Sequence, residues 1–191
     1  MSDARKPGGR VQLVLVAAVF LGPLALAAYL YFAGQGLAPE GRTNNGSLLQ
    51  PIVNLPEALP GSSLHEAGEG RWVLLYADSG PCEEACRNAL HTLRQSRLML
   101  GKEMDRVVRI FLHGNTLPDT VWLADEHGGL MTLQDGSLGD LLENERPASL
   151  EPGGLYLMDP LGNLVMYFPP DLDPQAMVGD IRHLLELSRI G

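Results

Sequence analysis

The pattern of hydrophobic and polar positions divides the chain into one membrane-length apolar run and a later series of short apolar runs separated by turns. From Val11 to Gly34 there is no charged residue, and roughly 20 apolar residues cross a hydrocarbon core as a helix. Further on, Trp72–Val73–Leu74–Leu75–Tyr76–Ala77 is continuously apolar, the pattern of a strand buried on both faces. Asp78–Ser79–Gly80–Pro81 then supplies turn chemistry. From Cys82 to about Lys102 the spacing predicts a helix, with Cys86, Leu90, Leu93 and Leu100 near one face. Val107–Val108–Arg109–Ile110–Phe111–Leu112 reads as a second buried strand. Between 114 and 150 the signal weakens to two apolar pieces, Val121–Trp122–Leu123 and Leu138–Leu142, among turns and acids. Leu155–Met158 and Leu164–Phe168 flank Asp159–Pro160–Leu161–Gly162–Asn163 and predict a hairpin. Asp173–Pro174 supplies an N-cap and a first-position proline. Met177, Ile181, Leu184 and Leu185 follow at helical spacing, so an amphipathic helix closes the order strand–helix–strand, variable stretch, hairpin, helix.

The length of 191 residues suits one compact domain with an appendage, and a hydrophobic fraction of 45% is too high for a disordered chain. The net charge of −9 is unevenly placed: residues 1–10 carry +2 through Arg5, Lys6 and Arg10 against Asp3, leaving −11 for the rest. An acidic body without a basic stripe argues against nucleic acid as a partner, since such binding neutralises phosphates. The basic residues hold the N-terminus inside, and Tyr29, Tyr31 and Phe32 suit an interfacial aromatic belt. Pro23 within the run is tolerated in lipid. The expected organisation is a cytoplasmic N-terminus at 1–10, a single-pass inner-membrane helix at 11–34, a spacer and domain edge rich in proline and glycine at 35–60, and a periplasmic domain at 61–191. A cleaved signal peptide ending near Ala25–Leu26–Ala27 is the rival reading. Both export the same domain to an oxidising compartment, where two cysteines are able to form a disulfide. Asn45–Gly46–Ser47 is a glycosylation sequon.

Cys82–Glu83–Glu84–Ala85–Cys86 follows a buried strand at the start of a helix. Helix N-termini favour a thiolate through free N–H groups and partial positive charge. Arg87 adds to that, whereas Glu83 and Glu84 oppose it. Spacing of four places the sulfurs one turn apart, which suits a redox disulfide, a structural disulfide or one soft metal ion. Two cysteines exclude a zinc ribbon and a disulfide-rich scaffold. A bridge across so short a loop removes little unfolded-chain entropy.

Strand, turn, C-x-x-x-C at a helix start, second strand, the hairpin Tyr156–Leu157–Met158–Asp159–Pro160–Leu161–Gly162 and a final helix together resemble the Sco/SenC family over roughly residues 48–189. That resemblance implies a thioredoxin-like α/β sandwich behind a single transmembrane helix. It also implies a role in assembling the copper site of cytochrome c oxidase. Cys82 and Cys86 carry over as a redox pair or as thiolate ligands of Cu(I). The family follows each cysteine with proline, where this chain has Glu83 and Arg87. The family's copper-binding histidine precedes the hairpin tyrosine, where this chain has Leu150–Glu151–Pro152–Gly153–Gly154, with Glu151 about in its place.

Copper(I) is soft and takes two thiolates and a third donor. His113, at the end of the second strand, is the replacement candidate, because carboxyl ends of parallel strands gather around such sites. His127, beside Asp125 and Glu126, reads as part of a solvated turn, and His65, His91 and His183 as surface or helix-face residues. Pro152 resembles the proline that faces the cysteines in thiol–disulfide members of the fold, and Glu151–Pro152 is a candidate cis bond. An ordinary trans proline in a turn with Gly153–Gly154 is the alternative. Asp173 is explained by capping and Asp171 by solvent, and the methionines fall at core spacings. The chain has no G-x-S-x-G, phosphate loop or H-E-x-x-H.

The expectation is an exported, membrane-anchored Sco/SenC-type protein assisting oxidase assembly by thiol–disulfide exchange or Cu(I) delivery. Its expected partner is a respiratory oxidase subunit or another exported thiol protein. In the exchange version Cys82 attacks a target disulfide and Cys86 resolves the mixed disulfide. The alternative is a non-catalytic periplasmic interaction module with Cys82–Cys86 as a structural disulfide.

Overall fold

The computed structural model describes residues 8–33, 44–116 and 119–188. The chain separates into two compact units, Met1–Thr43 and Asn44–Gly191. In the first, α1 (Gly9–Ala33) contains Pro23. Its segment Val11–Tyr29 has a mean hydropathy of 2.3, and among the described residues it is the one helix long and apolar enough to cross a membrane. Gly34, the expected end of the apolar run, and the spacer up to residue 43 lie outside the described residues.

The second unit is a six-stranded mixed sheet with helices on both faces. Its elements are β1 (Ser47–Asn54), α2 (Leu55–Ala58), α3 (Ser63–Gly68), β2 (Trp72–Asp78), α4 (Glu84–Met99) and a 3-10 helix at Gly101–Arg106. After these come β3 (Val107–His113), α5 (Thr120–Glu126), β4 (Leu130–Leu133), α6 (Gly136–Glu145), β5 (Leu155–Met158), β6 (Asn163–Phe168) and α7 (Pro174–Leu187). The strand order is β1-β6-β5-β2-β3-β4. β2 runs parallel to β3, and β3 parallel to β4. β5 is antiparallel to β2 and β6, and β1 is antiparallel to β6.

Alternation along β2 assigns its side chains to two cores. Trp72, Leu74 and Tyr76 join Cys86, Leu90 and Leu93 of α4 and Met177, Ile181 and Leu185 of α7. Val73 and Leu75 join Leu138 and Leu142 of α6 with Leu55 and Leu64. Coverage on both faces is the reason β2 and β3 read as unbroken apolar runs rather than as alternating ones.

The hairpin forms as its sequence predicts. Asp159 accepts hydrogen bonds from the main-chain N–H groups of Leu161 and Asn163, both at 2.9 Å. Gly162 turns at φ +86°, and a Cβ there would lie 2.8 Å from Pro56. Asp173 caps α7 by accepting from Gln175 N–H, with Pro174 in the first turn.

Three elements differ from the sequence expectation. The helix after the cysteine turn runs from Glu84 to Met99, so Cys82 precedes it. Residues 47–54, where prolines and glycines pointed to irregular chain, form the edge strand β1, with register shifted between Leu48 and Val53. That irregularity absorbs Pro51, which is compatible with an edge or bulge but not with a central strand. The weak stretch 114–150 contains α5, β4 and α6, with residues 117 and 118 outside the described ones. β4 is only four residues long, too short to announce itself by alternation.

Candidate functional site

The β2–α4 connection is built by local hydrogen bonds. Asp78 Oδ1 accepts from Gly80 N–H at 2.9 Å, and Pro81 O accepts from Glu83 N–H at 2.8 Å. Gly114 N–H donates to Asp78 O at 3.0 Å. A Cβ at Gly114 would lie 2.2 Å from Ser79 O, so only glycine lets the end of β3 approach the chain leading to Cys82.

Cys82 and Cys86 form a disulfide with Cα atoms 5.1 Å apart. Their surroundings are unequal. Cys86 is 1% exposed and packs with Tyr76, Leu90 and Phe111. Cys82 is half-buried, in the turn ahead of the helix. Glu83 and Glu84 between them are exposed. Glu83 occupies the cap position without a side-chain cap bond, so α4 begins with free N–H groups beside the bridge. Arg87 places its guanidinium 4.9 Å from the Trp122 ring centre.

Under the turn, Tyr76 O–H donates to Asp78 Oδ2 at 3.2 Å. Burial, followed by the nearby Asp78 charge, pushes the Tyr76 hydroxyl well above its ordinary pKa, so it remains a donor. Tyr76 and Phe111 stack at 5.7 Å, and Phe111 contacts His113 at 6.0 Å between ring centres.

His113 ends β3 opposite Asp78 in register, as expected. It is 8% exposed, and strand alternation puts it on the Phe111 face, the face on which Cys86 packs. Its Nδ1 lies 2.8 Å from Gly114 O. A carbonyl only accepts, so Nδ1 carries a proton and donates to it.

A copper site fails its geometric test in this state. Each cysteine sulfur is bonded to the other, and among the described residues no three His, Cys, Asp or Glu side chains gather to hold a metal ion. Glu151, about where the family histidine was expected, is exposed.

Of the two readings of Pro152 the structure shows the trans one, and the reading of His127 is corrected. The Glu151–Pro152 peptide is trans, since among the described residues the cis bond is Gln50–Pro51. The alternative turn accounts for Pro152. Gly153 adopts φ +86°, and Tyr167 fixes both sides of the turn by accepting from Gly154 N–H and donating to Glu151 O. Pro152 itself is exposed. His127 is not solvated: it is 3% exposed, edge-on to Trp122 at 4.8 Å. The Trp122 ring of α5 packs against it, a contact its acidic neighbours concealed. His91 and His183 are exposed, as expected, and His65 is half-buried on α3. The Asn45 side chain of the sequon donates to Asp180 at 3.0 Å.

Sequence reasoning missed a cleft of about 440 Å³ at the carboxyl ends of β2 and β3, lined by Asp78, Ser79, Gly114, Glu143, Arg146 and Gly154 among others. Leu142 and Tyr156 on its wall belong to the core beneath α6. His113, a residue the sequence did single out, lines it too, so the cleft reaches from the core beneath α6 across the strand ends. No local motif marks it, because its lining comes from four separate segments.

The model of a family described as "Transmembrane-like, thioredoxin-like, C-terminal domain" matches residues 72–188. No curated protein matches the sequence. Among solved structures, yeast Sco1 aligns with a TM-score of 0.52 at 18% identity, covering 65% of this chain and 85% of that one. Copper-bound yeast Sco1 gives 0.51 at 19% identity, covering 64% and 80%. Copper-bound ScoI of Arabidopsis thaliana gives 0.50 at 17% identity, covering 65% and 89%. At these identities the likeness establishes a Sco-like thioredoxin fold.

Proposed function

The chain belongs to the family of transmembrane-like, thioredoxin-like C-terminal domains, and from that footing we propose that it is a membrane-anchored, exported thiol–disulfide exchange protein. The observation that carries this reading is the unequal burial of a bridged pair at the start of a helix: Cys82 half-buried in the turn, Cys86 in the core. A purely structural bridge gains little from a sequence separation of 4. An exchange pair needs one reachable sulfur and one withheld.

The steps follow from that inequality. In the reduced protein the Cys82 thiolate attacks one sulfur of a target disulfide, and the other target sulfur leaves as a thiolate and takes up a proton. Cys86, deprotonated, then attacks Cys82 Sγ in the mixed disulfide and expels the second target thiol. The target gains two electrons and two protons, and Cys82–Cys86 returns to the bridged form. A dithiol reductant in the same compartment regenerates the protein. The free N–H groups at the start of α4 stabilise the attacking thiolate, while Glu83 and Glu84 moderate that effect.

The basic residues Arg5, Lys6 and Arg10 support an inner-membrane anchor with its N-terminus in the cytoplasm and the domain in the periplasm. The Sco-like fold supports a respiratory oxidase subunit, whose copper-ligand cysteines must be reduced before loading, as the target. Another exported thiol protein is chemically equivalent. No step is assigned to copper, because among the described residues no third donor gathers with the bridged cysteines.

The test is mixed-disulfide trapping with the detergent-solubilised full chain and a disulfide-bearing target peptide. Cys86→Ser accumulates a covalent adduct through Cys82, and Cys82→Ser accumulates far less. A wild-type bridge that resists excess dithiol reductant, with no adduct in either variant, overturns exchange and leaves the structural bridge.

A further inference from the structure

Arg109 is a charged residue in the middle of an otherwise apolar strand, and it is 5% exposed. Alternation places it between Val107 and Phe111, facing α4. Its Nη2 donates to Gly128 O at 2.7 Å, while Nε and Nη1 are buried without a partner in the protein. His127, one residue from that carbonyl, is 3% exposed and its Nδ1 is also without a partner. Of the four buried side-chain nitrogens in this condition among the described residues, three therefore belong to this pair. The fourth, Trp72 Nε1, lies on the same sheet face one strand away.

The surrounding charges do not neutralise it. Arg94 and Arg97 of α4 act on Arg109 as like charges, and Arg94 acts on His127 in the same way. The carboxylates within reach serve those outer arginines. Glu126 lies 3.6 Å from Arg94 and Asp105 3.5 Å from Arg97, with side chains 60% and 85% exposed. A guanidinium does not shed its proton to escape burial, and buried charges are ordinarily paired. A net-acidic protein has here gathered cations around unpaired inward-facing donors.

We propose that Arg109 and His127, beneath α4, hold a small inorganic anion of chloride size. At 5% and 3% exposure the pair is closed to a partner's carboxylate and to any bulky organic anion. Water would satisfy the donors but leave the charge uncompensated.

The experiment uses the full chain in detergent, with chloride replacing gluconate at constant ionic strength and pH. Chloride quadrupolar NMR should show saturable line broadening. The unfolding midpoint should rise roughly 3–5 °C for each ten-fold increase in chloride above the dissociation constant. Arg109→Met should abolish both responses. If that variant does not fold, Arg109→Lys, which offers one donor nitrogen in place of the fork, should weaken them. No saturable broadening in the wild type overturns the proposal and assigns the donors to water. Chloride affinity undiminished in whichever variant folds overturns it by placing the ion elsewhere.

Discussion

Asp180, on the last helix, holds Asn45 at the start of the folded unit: its carboxylate accepts from Asn45 N–H at 2.8 Å and from Asn45 Nδ2 at 3.0 Å. The same carboxylate accepts from Gly46 N–H at 2.7 Å. At 7% exposure, little water is available to replace these bonds. Asp180→Ala leaves the buried Gly46 N–H unsatisfied and removes the bonds to exposed Asn45, and bonds to charged acceptors are worth about 1.5–3 kcal/mol each. Because the loop can relax, the expected loss is about 2–4 kcal/mol, read as a lower denaturant midpoint.

Gly46→Ala tests the same junction by sterics. A Cβ there would stand 2.6 Å from the Phe168 ring and 2.8 Å from the Met166 sulfur. Forced repacking of this kind costs about 1–3 kcal/mol, and equilibrium unfolding should show it with the sheet otherwise intact.

Tyr167→Phe removes the hydroxyl that joins Gly154 N–H to Glu151 O. The ring, packed edge-on to Tyr156 at 4.8 Å, stays in place, so the change isolates the hydrogen bonds. A buried N–H is left without its acceptor, at a cost of about 1–3 kcal/mol. Hydrogen exchange at Gly154 should accelerate more than exchange in β5.

His127 predicts an acid-sensitive component of stability. Burial, then the Arg109 and Arg94 charges, hold its pKa below 6.5, against a smaller opposing effect of Glu126. The unfolded chain therefore takes up the proton first as pH falls. The neutral imidazole's contribution is fully present above pH 6.5, the unfolded value, and declines as pH drops toward the lower folded value. The slope is at most about 1.4 kcal/mol per pH unit for one proton. Denaturant titrations across that range should be flatter for His127→Gln, and an unchanged slope would assign the acid sensitivity to other groups.

Reduction of Cys82–Cys86 should cost little stability. A loop closed at a separation of 4 contributes about 2 kcal/mol in the chain-entropy model. Denaturant midpoints with and without dithiol reductant should differ by no more than that, and the domain should remain folded when reduced. A larger loss favours the structural-bridge reading.

The parts legible in the sequence were those whose signal is local. β2 and β3 announce themselves because both faces are covered, and the α7 start because Asp173 and Pro174 sit in their preferred places. The cysteine pair was equally plain. What escaped depends on contacts between distant segments. Nothing next to Arg109 or His127 in the chain states that α4 and α5 will seal them from water. β1 was obscured by Pro51, tolerated only because the strand lies at an edge and breaks register. The turn around Pro152 is tied by Tyr167, a side chain 15 positions beyond the proline.

The pairing of β1 with β6, Ser47 opposite Tyr167, sets an order of events during synthesis. The first strand of the domain leaves the ribosome and has no sheet neighbour until almost the whole chain has followed. Its backbone must remain solvated or shielded through that interval, and closure of the sheet waits for the hairpin. A nascent chain stalled before Asn163 would therefore present β1 as an unpaired edge, open to chaperones and proteases.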